Sequence, residues 1–258
     1  TVDANDNVYF LFRASASSST NSWPTFVYKL PASNSPSVLA SEDGVQGVAH
    51  AGGTLYLTGV SFRGAPDDGF YSISDSGEDQ TLTEISTNSN LDLDYGIDVA
   101  EDGDLYAFSG EFGASTFVRK IVRVVDPSGS ATIEEFLNPY QSGSPLIPSN
   151  ETGNESDTDI QDLDIITFGG TEYIVVFNNV FGAQNGDQWG TIQISDQSIE
   201  LLFNRDDLVE NLSVDDYVSG FTRPMAVNSS GEIFAASREA SFGGSDYIAK
   251  VSDAPPLP

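Results

Sequence analysis

Short runs in which apolar and polar residues alternate follow one another along the whole chain, separated by turns rich in Gly, Asp, Asn and Ser. In the clearest example, residues 96–100 and 105–109 flank an Asp-Gly turn, a dipeptide that tolerates the positive φ angles of a tight β-hairpin. Two further runs follow at 120–125 and 131–137, with another turn between them. The pattern predicts a meander of four antiparallel strands, which we label A to D in chain order.

The A–B hairpin recurs five times, each time with an aromatic residue near the start of the second strand. These aromatic residues are Tyr9, Tyr56, Tyr106, Tyr173 and Phe234. A β-sandwich gives no reason for five similar units, and the coils of a β-solenoid are shorter than about fifty residues. Four-stranded sheets repeated around a central channel form a β-propeller. The sequence therefore predicts an all-β fold, a five-bladed β-propeller of four-stranded antiparallel blades.

The predicted propeller is a single domain at residues 1–254, with blades at about 1–41, 42–86, 87–138, 139–204 and 205–254. Residues 255–258 form a proline-rich tail or linker. The last blade contains no segment that reads as its outer strand D, so its sheet edge is expected to be open. Either the short blade is tolerated, or the last residues cover the edge, or a neighbouring molecule adds a strand and causes self-assembly.

The A–B hairpins carry a recognisable motif. Residues 96–106 read Gly-Ile-Asp-Val-Ala-Glu-Asp-Gly-Asp-Leu-Tyr, and residues 224–234 read Pro-Met-Ala-Val-Asn-Ser-Ser-Gly-Glu-Ile-Phe. This pattern resembles the repeat of NHL-type and gluconolactonase-like β-propellers. The resemblance covers the A–B hairpin of each blade and implies the propeller fold. It implies no single activity, because such hairpins occur in signalling, adhesive, lyase and hydrolase propellers alike.

The two ends of each predicted blade differ in loop length. We expect short A–B and C–D turns at one end, the short-turn face, and longer connections at the other end, the long-loop face. The long connections are B–C (about 13–25, 60–69, 110–118, 179–189 and 237–246) and D–A (about 41–46, 86–95, 138–162 and 204–223). Binding residues concentrate on loops of rigid scaffolds, so the long-loop face is the predicted functional surface. The candidate ligand-binding residues are Trp23, Trp189, Gln46 and Arg223.

The charge of the chain is strongly negative, with 39 acidic against 10 basic residues and a net charge of −29. Such a surface repels phosphate backbones, so we expect no nucleic-acid partner. No apolar run approaches the roughly 18 residues of a membrane helix, so we expect no membrane insertion. Because the acids are spread through every repeat, they favour a halophilic surface, and discrete calcium sites are the alternative. The chain has no cysteine, which excludes disulfides and sulfur-ligated metals.

Carboxylates that lead into A strands are the candidates for chemistry at the channel. They are Asp94 and Asp98 in blade three and Asp162 and Asp164 in blade four. Clusters of oxygen ligands suit calcium, so these four are the candidate metal ligands. The same acids could serve a glycoside hydrolase or a metal-dependent lactonase-like enzyme. Blades two and five offer Gln46 and Arg223 instead, so we assign no catalytic residue and favour a non-enzyme.

The single histidine, His50, lies beside the A–B turn of blade two, on the short-turn face. This position argues against a Ser-His-Asp centre, and we expect a structural or surface role for this residue. The sequence as a whole predicts a secreted or cell-surface protein that works without catalysis in recognition, adhesion or assembly. Its expected partner is a glycan or a protein, with calcium as the candidate cofactor.

Overall fold

The computed structural model describes residues 1–13, 24–33, 35–61, 64–65, 67–110, 120–141, 143–146, 158–180, 188–204, 217–218, 225–228, 230, 232–239 and 246–251. In these residues nineteen strands form five sheets of antiparallel neighbours. Within the same ranges we find no helix with the length and apolarity needed to cross a membrane. The chain divides into two compact units, Thr1–Phe136 and Leu137–Pro258.

The first unit contains three sheets in chain order. The first consists of β1 (Val8–Arg13), β2 (Pro24–Leu30) and β3 (Ser37–Asp43). The second consists of β4 (Val45–Ala51), β5 (Thr54–Gly59), β6 (Gly69–Ser74) and β7 (Thr83–Thr87). The third consists of β8 (Leu93–Val99), β9 (Leu105–Ser109), β10 (Lys120–Val125) and β11 (Thr132–Leu137). In each sheet, every strand pairs with the one that follows it in the chain, as the meander requires.

The second unit contains two sheets. One consists of β12 (Thr158–Phe168), β13 (Thr171–Val180), β14 (Gln188–Gln193) and β15 (Ile199–Asn204). The other consists of β16 (Tyr217–Val218), β17 (Met225–Val227), β18 (Ile233–Glu239) and β19 (Asp246–Val251). The short strands β16 and β17 pair with the same edge of β18, so together they form strand A of this blade. The other edge of β18 pairs with β19, and the described residues supply no further partner for β19.

The five antiparallel sheets confirm the predicted all-β architecture, and in the described residues the last blade shows no outer strand beyond β19. In the first blade, the position of strand A is represented by a single bridge between Val2 and Val8. Main-chain hydrogen bonds flank this bridge, with Thr1 and Tyr9 paired at one end and the N–H of Asp3 donating to the carbonyl oxygen of Asn7 at the other.

The core of each unit lies between the sheets. In β9 all five residues are buried, because both faces of a central strand are covered by its neighbours. Three of the four tyrosines that recur in the repeat, Tyr9, Tyr106 and Tyr173, are 1 to 4% exposed, and Tyr56 is 9% exposed. The repeating aromatic residue is therefore a packing residue, which explains why the repeat keeps it.

One predicted connection does not exist as a loop. The D–A connection expected over residues 41–46 is a single residue, Gly44, between β3 and β4. Gly44 has a φ of +76°, and a Cβ atom there would lie 2.3 Å from the main-chain nitrogen of Ala65 and 2.7 Å from the carbonyl oxygen of Val60. Only glycine fits this position, and it lets two sheets follow each other without a loop.

Candidate functional site

The strand bounds give the lengths of the connections at the two ends of the sheets. On the short-turn face, residues 52–53 join β4 to β5, and residues 169–170 join β12 to β13. On the long-loop face, B–C connections span residues 14–23, 110–119 and 181–187. The difference in connection length that the sequence predicts is thus present in these sheets. Most residues of the long connections lie outside the described residues, and so do two of the candidate ligand-binding residues, Trp23 and Arg223.

Trp189 lies in the core of the second unit. Its side chain is 1% exposed, with the centre of its ring system 4.9 Å from the ring of Phe177 and 4.8 Å from the ring of Phe203. Trp189, a candidate ligand-binding residue, belongs to β14 and is buried, so it offers a ligand little surface. Its contribution is to packing, since an aromatic side chain buried on this scale stabilises the core strongly.

Gln46 is also buried, at 3% exposure, between the first two sheets. Its side-chain oxygen accepts a hydrogen bond from Nη2 of Arg13 at 2.7 Å, and its Nε2 donates to the carbonyl oxygen of Gly44 at 3.2 Å. This amide therefore ties β1 to the junction between β3 and β4. Gln46 offers a ligand little surface in this arrangement.

Asp162 and Asp164 point from β12 to the neighbouring strand β17. The Oδ2 atom of Asp162 accepts the N–H of Met225 at 3.1 Å, and the Oδ2 atom of Asp164 accepts the N–H of Val227 at 2.9 Å. Asp162 and Asp164 of β12 thus accept the N–H groups of β17 that main-chain carbonyls would accept in a regular sheet. Burial raises the pKa of Asp164, and the hydrogen bond from Val227 opposes that rise.

The other two predicted calcium ligands lie on β8. The Oδ1 atom of Asp98 accepts the N–H of Val99 at 2.8 Å, so this carboxylate is turned toward its own main chain. Asp94 belongs to the same strand, and its side chain lies outside the described residues. The calcium assignment for these four acids remains a prediction.

A cluster that the sequence did not predict lies on the short-turn face of the first unit. Asp3, His50 and Asp75 each place one ligand atom so that the three atoms lie within 4.8 Å of one another. Asp3 comes before β1, His50 is near the end of β4, and Asp75 directly follows β6. Among the described residues, this is the one group of at least three histidine, cysteine or acidic side chains with that spacing. We refer to it as the Asp3–His50–Asp75 cluster.

Tyr9 contacts all three members of the cluster. Its hydroxyl donates to Oδ2 of Asp3 at 3.0 Å and lies 3.4 Å from Oδ2 of Asp75. The imidazole of His50 stacks on the Tyr9 ring at 4.9 Å and 6°, and its Nε2 lies 3.1 Å from Oδ2 of Asp75. Burial, and then the carboxylates of Asp3 and Asp75, raise the pKa of the Tyr9 phenol well above its ordinary value. The hydroxyl therefore stays protonated and remains a donor.

The carboxylate of Asp3 is fixed by the turn that follows it. Its Oδ1 atom accepts the main-chain N–H of Asn5 at 2.8 Å and of Asn7 at 2.9 Å, and its Oδ2 atom accepts Nδ2 of Asn7 at 2.7 Å. The side-chain amide of Asn7, followed by these main-chain donors, lowers the pKa of Asp3 well below its ordinary value. Asp3 is consequently a carboxylate across the whole neutral range.

The sequence interpretation missed this cluster for a physical reason. Its three members are separated by 47 and 25 positions, and only the pairing of whole sheets brings them together. Two signals were present: Asp3 opens an Asp-x-Asn-x-Asn turn, and Asp75 occupies the strand-C end that also carries Asp126 and Asp196. His50 is not simply a surface residue, since its side chain is 11% exposed.

Basic residues on C strands recur beside the aromatic position of the repeat. Lys29 lies opposite Tyr9 in the sheet, with its Nζ 5.3 Å from the ring centre. Arg123 lies opposite Tyr106, with its guanidinium carbon 5.9 Å from that ring centre. The Nε atom of Arg123 also donates to Asp104 at 2.7 Å. Lys29 and Arg123 thus form cation–π contacts with the repeating tyrosine of the paired strand, which gives two of the few basic residues a structural role.

Comparisons with known proteins address the fold. No family model matches the chain, and no curated protein matches it either. The chain is similar to the solved structure of TolB from Acinetobacter baumannii (12% identity, TM-score 0.53) over 93% of its own length and 51% of that chain. It is similar to a xylan β-1,4-xylosidase from Bacillus halodurans C-125 (11%, TM-score 0.53), over 96% of this chain and 51% of that one.

A third similar structure is the xyloglucan GH43B protein from Bacteroides ovatus (10% identity, TM-score 0.51), with 97% of this chain and 51% of that chain covered. These proteins are β-propellers, so the predicted β-propeller fold is confirmed. The chain spans about half the length of the solved structures it matches. At these identities the likeness establishes the fold and not the activity.

Proposed function

We propose that this chain is a non-catalytic β-propeller module that recognises a glycan or a protein through its long-loop face, outside the cell or on its surface. The observation that supports the proposal is the asymmetry of the sheets. Short turns such as residues 52–53 and 169–170 join strands at one end, whereas the strands that end at Arg13 and Val180 are separated from the next strands by the longer segments 14–23 and 181–187. A rigid scaffold with long loops at one end is the usual arrangement of a binding protein. We also assign its repeats to the NHL-type and gluconolactonase-like class.

The hydrogen bonds of the inward acids favour binding over catalysis. A glycosidase needs one carboxyl group as acid and a second as base or nucleophile, both facing the substrate. Asp162 and Asp164 each use Oδ2 to accept a main-chain N–H of β17. Carboxylates that replace carbonyl acceptors between strands are structural groups, so their presence on an A strand is explained without a reaction.

The experiment compares two aromatic positions at opposite ends of the sheets. Wild type, Trp23→Ala and Phe168→Ala are applied to a glycan array and to a binding screen with cell-surface protein extracts, and hits are quantified by calorimetry. Phe168 ends β12 on the short-turn face and is 39% exposed, so it is the matched control. We expect Trp23→Ala to weaken binding at least about tenfold and Phe168→Ala to leave it unchanged. The reverse pattern contradicts the proposal.

Calcium and self-assembly belong to the same proposal and are tested alongside it. Calorimetry with CaCl2 on wild type and on Asp98→Asn tests whether the acids of the A strands hold calcium. Absence of binding heat in wild type contradicts the calcium assignment. Analytical ultracentrifugation tests strand addition at the edge of β19 that no described strand pairs with, and a monomer at all concentrations contradicts self-assembly.

A carboxylate-dependent glycoside hydrolase is the second candidate, and one observation favours it. Burial raises the pKa of Asp164, which is the property that a general acid requires. Wild type and Asp164→Asn are assayed with a panel of aryl glycosides and polysaccharides. Turnover by wild type that Asp164→Asn abolishes supports the hydrolase, whereas a wild type without turnover leaves the binding module as the function.

A further inference from the structure

We propose that Asp3, His50 and Asp75 form a binding site for a divalent transition-metal ion, with zinc as the ion that fits best. The site lies on the short-turn face of the first unit, where β1, β4 and the end of β6 meet. It is separate from the long-loop face and goes beyond the recognition function proposed above. It is also distinct from the calcium site predicted on the A strands, in both its residues and its chemistry.

The donor set identifies the class of metal. One imidazole nitrogen and two carboxylate oxygens converge, with all three ligand atoms within 4.8 Å of one another. Calcium and magnesium take oxygen ligands almost exclusively, whereas zinc accepts histidine nitrogen and aspartate oxygen together. Two ligands at about 2.1 Å from a tetrahedral zinc ion lie about 3.4 Å apart. Nε2 of His50 and Oδ2 of Asp75 are in hydrogen-bond contact at 3.1 Å, so a bound zinc ion would replace this contact with only a small movement of the two ligand atoms.

The groups around the ligands hold them in place before any metal binds. The Tyr9 hydroxyl contacts Oδ2 of Asp3 at 3.0 Å and lies 3.4 Å from Oδ2 of Asp75, so both oxygens face one point. The parallel stacking of His50 on Tyr9 fixes the plane of the imidazole. Main-chain N–H groups fix the other oxygen of Asp3. Outer groups of this kind orient metal ligands and strengthen binding.

Among the charged groups at the site, Asp3 favours the binding of a cation and Lys29 opposes it. Metal ligands must be deprotonated, and the N–H and O–H donors that Asn5, Asn7 and Tyr9 direct at Asp3 match a carboxylate rather than a carboxylic acid. Ligation uses the lone pair of Nε2, so the proton of the neutral imidazole then resides on Nδ1. Lys29 is the opposing charge, because its Nζ donates to the carbonyl oxygen of Asp75 at 2.9 Å. Lys29 therefore limits the affinity for a cation without occupying a ligand atom.

The first test uses the fact that His50 is the only histidine of the chain. Protein labelled with ¹⁵N is titrated with ZnCl2, and the imidazole nitrogens are followed by NMR while calorimetry counts the ions bound. We expect one ion per chain to bind with a chemical shift change at Nε2 of His50 characteristic of metal ligation. Unchanged imidazole resonances in excess ZnCl2 overturn the proposal, and this test needs no variant to fold. CaCl2 is expected to leave the same resonances unchanged.

The second test is a set of variants measured by calorimetry with ZnCl2. His50→Gln and Asp75→Asn are expected to weaken zinc binding at least about tenfold. Asp79→Asn is the matched control, since Asp79 is an exposed acid on the same C–D connection as Asp75 and its φ of +51° suits Asn equally well. Lys29→Gln is expected to tighten binding severalfold. Equal weakening by Asp79→Asn, or no effect of His50→Gln, shows diffuse binding to acids and overturns the proposal.

Discussion

The carboxylate of Asp164 accepts the main-chain N–H of Val227 at 2.9 Å, so a side chain of β12 acts as the hydrogen-bonding partner of β17. Asp162 does the same for Met225, two residues earlier on both strands. Period-two spacing places both acids on one side of β12, and the same period places both N–H groups on one side of β17. Side chains thus provide the register between these strands.

The first prediction concerns this contact. Asp164→Ala is expected to lower the free energy of unfolding by about 1–3 kcal/mol, because the N–H of Val227 loses its acceptor. Asp164→Asn keeps an oxygen for the N–H and is expected to change stability by less than about 1 kcal/mol. Urea denaturation of the two variants and wild type measures both values. Equal losses in Ala and Asn variants contradict a role for the hydrogen bond.

The second prediction concerns pH. The stabilising effects of Asp3 and Asp164 are expected to change in opposite directions as the pH falls. The folded-state pKa of Asp3 is lowered, so its stabilising effect is present above the unfolded value of about 3.9 and is lost as pH falls below it. The folded-state pKa of Asp164 is raised, so its effect is greatest below the unfolded value and is lost as pH rises through the folded value.

Melting temperatures of wild type, Asp3→Asn and Asp164→Asn at a series of pH values test both signs. The difference in melting temperature between wild type and Asp3→Asn is expected to become smaller as the pH falls. The difference between wild type and Asp164→Asn is expected to shift in favour of wild type as the pH falls from about 7 to about 4. Parallel curves for the two variants contradict the assignment, since only the local environments of the two acids distinguish them.

The third prediction concerns Gly44. Gly44→Ala is expected to destabilise the protein by about 3 kcal/mol or more, because a positive φ is combined with a Cβ atom 2.3 Å from the Ala65 nitrogen. Gly53→Ala is the control: its φ is +82°, but a Cβ atom there meets nothing within 4 Å. The free energy of unfolding of that variant is expected to fall by only about 1 kcal/mol, because alanine is strained at a positive φ but meets no other atom. Similar losses in both variants in thermal denaturation contradict the steric argument.

The fourth prediction separates a buried from an exposed ion pair. Asp104 is 6% exposed and contacts Arg123, whereas Glu135, the partner of Lys120, has a side chain that is 45% exposed. Arg123→Met is expected to cost about 2 kcal/mol, because it leaves the Asp104 carboxylate buried without its cation. Lys120→Met is expected to cost less than about 1 kcal/mol. Urea denaturation at low salt measures both losses, and an equal cost contradicts the ranking.

The fifth prediction tests the halophilic interpretation of the charge. A net charge of −29 on 258 residues produces self-repulsion that favours the unfolded state at low ionic strength. Because the screening length falls from about 10 Å at 0.1 M salt to about 3 Å at 1 M, the melting temperature is expected to rise with KCl. Sucrose at matched osmolality is the control for general exclusion effects. A melting temperature independent of KCl contradicts salt adaptation.

The sequence predicts the elements whose causes are local. The turn between β8 and β9 follows from an Asp-Gly dipeptide, and the strands follow from alternation, so sheets and their order were predictable. The alternation does not say which side chains near a strand end meet the core, and Trp189, a candidate ligand-binding residue, is buried. The Gly44 junction depends on Ala65, and the Asp3–His50–Asp75 cluster depends on three distant segments. Contacts of that kind arise only when sheets pack.

The Gly44 junction also determines how the first two sheets carry mechanical load. A pull on β3 passes to β4 through one residue, so the connection has no slack to extend before the strands themselves are strained. In a single-molecule stretching experiment we therefore expect β3 and β4 to come under load together.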